Sequence, residues 1–340
     1  METKRLRTDP IHLKETIATA AAILKAGGTV AIPTETVYGL AASAYDEEAV
    51  KKVFTAKGRP QDNPLIVHIA DFSELDLVAR DIPAAARRCA EAFWPGPFTM
   101  VLKRGDRIPP SVSAGLDTVA VRMPDNPIAR AIISASGLPL AAPSANLSGK
   151  PSPTKAATVI EDLDGKIDAV VQAGDCTVGV ESTVISFCTD PPRLLRPGAV
   201  TPADLHELVP DLVIDRAVLA EPEAGEKVAS PGMKYKHYAP NTETVLVKGG
   251  SAAFAAYVNA IPDCAAVCFE EETEQIKVPK LCYGSEKDAA TLAQGVFSAL
   301  RLADGLSVKR IYVHAPSTEG IGLAVYNRLL RAAAFRVVTV

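Results

Sequence analysis

The side chains best suited to chemistry lie in four short polar segments, each beside an apolar stretch that is typical of a β-strand. They offer cations, hydroxyl groups, carboxylates and small residues that let a ligand approach the backbone. Arginine binds phosphate through two parallel hydrogen bonds, and lysine acts as a mobile point charge. The set therefore predicts a site for a phosphate-bearing ligand beside a smaller polar one. The segments are Thr34–Thr36, Lys57–Pro64, Ser144–Gly149, and Glu181–Thr183 followed by Arg196–Gly198.

Each segment also has a simpler structural interpretation. Thr34–Thr36 fits a capped turn, and Ser144–Gly149 fits a polar turn without a ligand. Lys57 and Arg59 fit a helix C-terminus, where cations complement the helix dipole. His68, inside an apolar run, is more often a structural histidine than a catalytic one. The polar surroundings of the two cations also predict that either can be replaced with little effect on folding.

Familiar nucleophile, metal and nucleotide motifs are absent from the sequence. It contains no G-x-x-x-x-G-K-[ST], no G-x-G-x-x-G after a strand, no H-E-x-x-H and no G-x-S-x-G. The six cysteines form no C-x-x-C pair, and their apolar neighbours predict small buried side chains in a reducing compartment. Any activity must therefore come from polar residues that the fold clusters.

Length and composition limit the number of domains and the class of protein in which these segments lie. A chain of 340 residues, 48% hydrophobic and 22% charged, predicts about two globular domains rather than disorder. The net charge of −4, spread evenly along the chain, argues against binding nucleic acid through bulk electrostatics. No apolar run is long enough to span a bilayer, and no signal-peptide pattern is present, so we expect a soluble, cytoplasmic protein.

The elements that must position the polar segments follow from hydrophobic periodicity. Strands and helices are mixed without strict alternation over residues 1–209, which favours an α/β or α+β domain with a mixed sheet. Helices are predicted near 11–26, 46–57, 84–93, 127–136, 155–162 and 202–209, and strands near 29–32, 65–69, 99–102, 119–122 and 183–185.

The second half of the chain has a different organisation. The pattern dissolves over residues 210–241, which we interpret as a linker, and returns over 242–340 as regular strand–helix alternation. That alternation predicts a small, parallel, Rossmann-like three-layer domain. Its strands are expected at 244–247, 265–269, 310–314 and 337–340, and its helices at 251–260, 287–303 and 323–334.

Taken in order, these motifs resemble the YrdC-like family, and the whole chain resembles its two-domain form, the threonylcarbamoyl-AMP synthases. The resemblance implies a YrdC-like fold, a mixed twisted sheet with helices, for the first domain. The motifs are Thr34–Leu40, Lys57-x-Arg59, Asp62–Leu65, Ser144-x-Asn146, Glu181–Thr183, Ser230–Met233 through His237–Pro240, and Gly320-x-Gly322-x-Ala324-x-x-Asn327-Arg328-Leu329.

The resemblance implies a nucleotidyltransferase reaction in which L-threonine, bicarbonate or CO2, and ATP give threonylcarbamoyl-AMP and pyrophosphate. This is the first step of the t6A modification of tRNA. Negative charge builds up on the nucleotide as the carbamate attacks, so Lys57 and Arg59 are suited to stabilise the α-phosphoryl group. We expect no metal site built by the protein, and Mg²⁺ held by the ATP phosphates.

Further site residues come from the resemblance, position by position. Four residues would surround threonine, and Arg122 among them would pair with its carboxylate. The remaining residues would hold the nucleotide, with Asn146 supporting the turn and Tyr235 reaching back from the linker. The expected threonine set is Thr36, His68, Arg122 and Ser182; the expected ATP set is Lys57, Arg59, Asn63, Thr118, Ser144, Asn146, Ser152, Arg196 and Tyr235.

The linker is expected to act as a lid. Residues 230–240 combine two lysines, one histidine and two tyrosines with no acid, which is unusual for a passive tether and suits a segment that covers an anionic ligand. A chain cut near Val228 would then leave a folded first domain that binds ATP but makes little product.

Two alternatives from other classes stay open at this stage. One is an RNA-binding translation regulator, and the other is a carbamoyltransferase of hydrogenase maturation, whose chains carry zinc-finger and acylphosphatase segments not seen here. If the chain is a synthase, its product passes to a downstream t6A transferase complex. The sequence leaves open whether tRNA touches this chain, and we expect no membrane partner.

Overall fold

A computed structural model describes residues 2–221 and 238–340, which form two β-sheets flanked by helices. Residues 222–237, with the segment Ser230–His237, lie outside the described residues. None of the described helices is both long and apolar enough to cross a bilayer. The first sheet contains β1 Lys4–Arg7, β2 Val30–Ile32, β3 Gly39–Ser43, β4 Ile66–His68, β5 Ala79–Arg80, β6 Phe98–Arg104, β7 Thr118–Arg122, β8 Leu140–Ala141, β9 Ala169–Gln172, β10 Thr183–Ser186, β11 Arg193–Arg196 and β12 Val213–Ile214.

The helices of the first domain begin and end where local sequence signals place them. In the helix that leads to Lys57, Asp46 accepts hydrogen bonds from the backbone N–H groups of Glu48 and Ala49, and Gly58 ends the helix at φ 59°. That φ lies in the left-handed region, which favours glycine. The helices are α1 Leu13–Lys25, α2 Glu47–Lys57, α3 Leu75–Val78, α4 Ala84–Phe93, α5 Pro127–Ser136, α6 Ala156–Leu163 and α7 Pro202–His206.

The first sheet is mixed. Its strands run in the order β1-β9-β2-β3-β8-β4-β7-β6-β10-β11-β12, with β5 paired to β6. It contains parallel pairs such as β4–β7 and antiparallel pairs such as β7–β6, as the irregular mixing of strands and helices in the sequence predicts. Its centre is covered by helices, and most side chains there are buried and apolar.

The second domain is a parallel sheet with helices on its faces, which confirms the Rossmann-like expectation. Its strands run in the order β15-β14-β16-β13-β17, and every pairing is parallel. The sequence missed only the short strand β15. The elements are β13 Glu243–Lys248, α8 Ser251–Asn259, β14 Cys264–Cys268, β15 Lys280–Cys282, α9 Ala289–Asp304, β16 Arg310–His314, α10 Gly322–Ala332 and β17 Val337–Thr339.

The two domains share a hydrophobic core. Val37 and Val180 of the first domain pack among the buried side chains of α9 and α10. At Gly179, an added Cβ would lie 2.4 Å from the carbonyl oxygen of Ala293, so glycine allows the loop to reach α9. Loss of the second domain would expose the two valines. The expectation that a chain cut near Val228 leaves a folded first domain stays a prediction, with these two valines exposed in the shortened chain.

Two other sequence expectations are adjusted by the structure. Strand β12 extends the first sheet into the stretch assigned to the linker, because a two-residue strand leaves no periodic signal. All six cysteines are unpaired, and four are buried as expected, but Cys188 and Cys282 are exposed. Both lie at the ends of strands, where an apolar sequence context does not ensure burial.

Candidate active site

The register of three neighbouring strands brings the first site residues into one row. In the parallel pair β4–β7, His68 lies beside Arg122, and in the antiparallel pair β7–β6, Arg122 lies beside Thr99. The hydroxyl of Thr99 then lies 2.7 Å from that of Ser182, just before β10. Residues far apart in sequence therefore meet at one edge of the sheet because the strands carrying them are adjacent.

Arg122 is held in place by a turn between β2 and β3. The hydroxyl of Thr34 accepts hydrogen bonds from the backbone N–H groups of Thr36 and Val37, which closes the turn. Arg122 then donates to the Thr36 hydroxyl over 2.8 Å, and its other terminal nitrogen forms an ion pair with Glu35. The predicted capped turn is present, and it also positions a buried guanidinium.

His68 is buried and uncharged in the folded protein. Its Nδ1 lies 3.1 Å from the carbonyl oxygen of Ile66, and only 4% of the side chain is exposed. Burial, together with the positive charge of Arg122, lowers the pKa of His68 to about 3. A neutral imidazole can accept or donate a hydrogen bond, but His68 cannot act as a proton donor near neutral pH.

Lys57, the last residue of α2, links the helix to the Ser144-x-Asn146 turn. Its Nζ donates to the carbonyl oxygens of Ser144 and, over 2.5 Å, of Asn146. The Ser144 hydroxyl donates to Asn146 Oδ1 over 2.5 Å, and Asn146 Nδ2 donates to the carbonyls of Leu147 and Lys150. Burial, with the positive charge of Arg59 nearby, holds the pKa of Lys57 well below its usual range.

Arg59 lies past the end of α2 and is half-buried. It donates to the carbonyl oxygens of Asn63 and Pro64, which anchors its guanidinium at the cleft. Asn63 itself is buried, and its side-chain Oδ1 has no hydrogen-bond partner among the described residues. A buried acceptor without a hydrogen bond lowers the stability of the fold unless a ligand or a water molecule donates to it.

The opposite wall is a buried network around Glu181. One carboxylate oxygen of Glu181 accepts from the Ser152 hydroxyl, and the other accepts from Arg328 of α10 over 2.7 Å. Arg196 donates to the backbone carbonyl and the hydroxyl of Ser182 over 2.9 and 3.1 Å. Burial acts to raise the pKa of Glu181, but the charges of Arg328 and Arg196 outweigh it and lower that pKa, so the carboxylate is ionised.

These walls enclose a cleft that opens to solvent, with about 720 Å³ of space that includes its open mouth. Among the described residues that line it, five are cations, namely Lys57, Arg59, Arg122, Lys150 and Arg196, against a single carboxylate, Glu181. The excess of positive charge suits a polyanionic ligand. Both oxygens of Glu181 are already hydrogen-bonded, and no group of three potential metal ligands occurs among the described residues.

Most of the predicted site residues meet at this cleft. Asn63 and Thr118 are not among the described residues that line it. Thr118 begins β7, four residues before Arg122, so its Cα lies about 13 Å along the strand from that of Arg122. Their nucleotide contacts stay predictions, and Tyr235 lies outside the described residues. The predicted residues that do line the cleft are Thr36, Lys57, Arg59, His68, Arg122, Ser144, Asn146, Ser152, Ser182 and Arg196.

Sequence reasoning assigned no role to several residues that build the cleft. Lys150 lines it, and Glu35 orients Arg122. Tyr238 also lines it; it belongs to the predicted lid segment 230–240 but was given no individual role, and its ring centre lies 5.2 Å from that of Phe297. Glu35 and Tyr238 belong to two of the family motifs, so the sequence could have marked them as site residues. The partner that each one contacts depends on the tertiary fold.

Comparisons with known proteins agree with this geometry. A model of the Sua5, YciO and YrdC proteins, described as telomere recombination, matches residues 22–198. A second model, described as the C-terminal domain of threonylcarbamoyl-AMP synthase, matches residues 200–334. The threonylcarbamoyl-AMP synthase of Bacillus subtilis is 44% identical over 99% of this chain and 100% of its own length. The chain belongs to the threonylcarbamoyl-AMP synthase family.

Further members of the synthase family support the assignment over both domains. The protein of that name from Pyrococcus abyssi is 42% identical over 95% of this chain and 96% of its own length. The crystal structure of P. abyssi Sua5 complexed with L-threonine is 39% identical, covers both chains completely and has a TM-score of 0.90. These relatives favour the synthase over the RNA-binding and hydrogenase-maturation alternatives.

A first prediction separates the roles of the two cations beside α2. We expect Arg59→Ala to lower kcat/KM on the order of 10²-fold with little change in stability, because it removes charge near the phosphates from a half-buried site. Lys57→Ala should lower activity similarly and also lower the free energy of unfolding by about 1–3 kcal/mol, because it leaves two buried carbonyls unpaired. Lys57 is 2% exposed, so the expectation that its replacement leaves folding unaffected is corrected.

Steady-state kinetics and urea unfolding check this prediction. Lys52→Ala is the matched control, since Lys52 belongs to the same helix but is exposed and bonds to the carbonyl of Gly27. Near-normal turnover in Arg59→Ala would show that the phosphoryl group binds elsewhere.

A second prediction concerns His68 and pH. The folded-state pKa of about 3 lies below the unfolded value of about 6.5, so the unfolded chain binds a proton that the folded one does not. The contribution of His68 to stability is full above pH 6.5 and is lost as pH falls toward 3. Between pH 7 and 5 this group should account for about 2 kcal/mol of lost stability.

Urea unfolding of the wild type and of His68→Gln, at pH 7 and at pH 5, tests this expected loss of stability. The variant should lose less stability on acidification than the wild type, whereas His206→Gln, at an exposed histidine, should behave as wild type. Equal pH dependence in all three proteins would mean that His68 titrates normally.

Proposed function

We propose that this cleft makes L-threonylcarbamoyl-AMP from L-threonine, bicarbonate or CO2, and ATP, and releases pyrophosphate. The threonine amine adds CO2 to form a carbamate, whose oxygen attacks the α-phosphorus while pyrophosphate leaves. The observation that carries the proposal is the meeting of a row of hydroxyls around Arg122 with a cluster of further cations in one cleft. An amino acid fits the first part, and a triphosphate fits the second.

Arg122 is suited to hold the threonine carboxylate. A guanidinium has five N–H donors, and three of those on Arg122 bind Gly96, Thr36 and Glu35. Each of its two terminal nitrogens, one bonded to Thr36 and the other to Glu35, keeps a second N–H that can donate to a carboxylate. The neighbouring side chains of His68 and Thr36 supply neutral groups that can bind the threonine hydroxyl or amine.

Lys57 and Arg59 are suited to the α-phosphoryl group. Two of the three N–H donors of Lys57 bind carbonyls, so one remains for a phosphate oxygen. An arriving phosphate favours the charged form of this lysine, whose pKa burial has lowered. Because both cations are already fixed, they stabilise negative charge without reorganising.

The chemistry requires positioning more than a protein nucleophile. The attacking group belongs to the substrate, and the carbamate loses CO2 readily in water, so a closed and dry site is the main requirement. The described lining does not fit a protein-held metal, because the single carboxylate among those residues, Glu181, is occupied by Ser152 and Arg328. We propose that Mg²⁺ arrives as the counter-ion of ATP.

The product would serve a downstream transferase that places the threonylcarbamoyl group on tRNA for t6A. We propose a cytoplasmic reaction, where ATP and tRNA are available, and six unpaired cysteines suit such a reducing compartment. Direct tRNA contact has no support from the even charge distribution and is not part of the proposal.

The decisive experiment measures pyrophosphate release from ATP by the full chain, with each of threonine and bicarbonate present or omitted. Release should require both and should match the amount of threonylcarbamoyl-AMP found by mass spectrometry. Release that needs only threonine would indicate a simple aminoacyl adenylate instead.

A third prediction concerns substrate choice. A pocket that hydrogen-bonds the threonine hydroxyl leaves buried polar groups unpaired when that hydroxyl is missing. We therefore expect kcat/KM to be much lower for 2-aminobutyrate than for threonine, with serine between them. Equal values for threonine and 2-aminobutyrate would show that the pocket does not recognise the hydroxyl.

A fourth prediction concerns residues 221–240, the segment that we propose acts as a lid over the cleft. Residues 222–237 lie outside the described residues, but the segment ends at the cleft, where Tyr238 forms part of the lining and Ala239 N–H donates to the carbonyl of Gly149. Trypsin cleavage after Lys234 or Lys236 should slow markedly when ATP and threonine are both bound. Either substrate alone serves as the control, and a cleavage rate that ignores both ligands would reduce the segment to a tether.

A further inference from the structure

Arg328 is a buried cation of the second domain whose contacts go mainly to the first. It lies in α10, its side chain is 0% exposed, and it is not among the residues that line the cleft. A fully buried guanidinium is retained only when charge and hydrogen bonds compensate for its lost hydration. The identity of its partners therefore indicates what this arginine does.

Those partners lie directly behind the wall of the cleft. Nε of Arg328 donates to a carboxylate oxygen of Glu181 over 2.7 Å, and one terminal nitrogen donates to the backbone carbonyl of Glu181 over 3.2 Å. The other terminal nitrogen donates to the carbonyl of Pro197 over 3.0 Å. One guanidinium thus joins two backbone segments, one leading into β10 and one leaving β11.

The residues next to these contacts are cleft residues. Ser182 follows Glu181, and Arg196 precedes Pro197, and the two side chains bind each other. The turn after Pro197 fits closely, because an added Cβ at Gly198 would lie 2.3 Å from the backbone nitrogen of Thr183. A shift at Arg328 would therefore move both residues.

The same arginine reaches two more parts of the lining. Through the carboxylate of Glu181 it fixes the Ser152 hydroxyl, which donates to the other oxygen of that group. The Arg328 guanidinium also lies 5.7 Å from the ring centre of Tyr238, within the range of a cation–π contact. Four separate segments of the cleft, at Ser152, Ser182, Arg196 and Tyr238, therefore depend on one side chain of the other domain.

We propose that Arg328 is a positioning residue through which the second domain sets the geometry of the active site, with Glu181 as the link to Ser152. This rests on the proposed function of the cleft. Arg328 does not touch the substrates and takes no part in the chemistry. Its effect arises because a misplacement of about 1 Å in a site that works by positioning can cost on the order of 10² in rate.

The test compares two arginines of the same helix. Arg331 is also buried and donates to a carbonyl of the first domain, that of Ala217, but neither residue is among the described residues that line the cleft. In the full chain, Arg328→Gln should raise the KM values for ATP and threonine and lower kcat, for a loss in kcat/KM on the order of 10²-fold. Arg331→Gln should stay within about threefold of wild type in kcat/KM, although both variants lose stability.

A double variant separates positioning from simple destabilisation. Removing both charges in Arg328→Gln/Glu181→Gln removes the unpaired buried carboxylate, so unfolding in urea should show part of the stability recovered. We expect kcat/KM not to recover, because the backbone segments at Ser182 and Arg196 stay unjoined. Arg328→Lys, which keeps the charge but cannot reach both segments, should give intermediate activity.

Threonine binding, measured by calorimetry at a temperature where each variant is folded, tests the role of Arg328 independently of the reaction that the cleft performs. Weaker binding in Arg328→Gln but not in Arg331→Gln supports positioning even if the wild type fails to make threonylcarbamoyl-AMP. Recovery of kcat/KM together with stability in the double variant, or equal losses in the two arginine variants, would overturn it.

Discussion

The cleft must hold several cations close together before any anion arrives, and this constraint shapes the rest of the structure. Buried or partly buried charges of one sign repel one another and lose hydration, so each needs a partner inside the protein. Glu35 pairs with Arg122, two carbonyls hold Lys57, and the charge of Glu181 acts on Arg196 as well as on Arg328. Each partner fixes a cation, and in the proposed reaction the phosphates and carboxylate of the substrates would complete the neutralisation.

The same constraint explains why the two domains form one functional unit. The charge of Glu181 acts on Arg196 on the cleft side and on Arg328 on the other side, so it is shared between the site and the domain interface. Val37 and Val180 join the core of the second domain within one residue of Thr36 and Glu181. The interface therefore packs directly behind the site, and relative movement of the domains would alter the position of cleft residues.

The sequence was a good guide to the fold and to the members of the site. Periodicity located most helices and central strands, and regular alternation identified the parallel second domain. It missed short strands such as β5 and β12, whose two residues show no period and which exist only through pairing. It also placed Lys57 in polar surroundings where replacement would not affect folding, because neighbours in sequence do not reveal the carbonyls of Ser144 and Asn146 that bind it.

Residue types and spacing by themselves predicted a site for a phosphate-bearing ligand beside a small polar one, because such motifs depend on local backbone and side-chain chemistry. Only the tertiary structure decided that Arg122 is oriented by Glu35, that His68 stays neutral and that Arg328 supports Glu181. Those properties depend on burial and on partners up to 147 positions away in sequence. Sheet register and domain packing create them, and neither leaves a local signal in the chain.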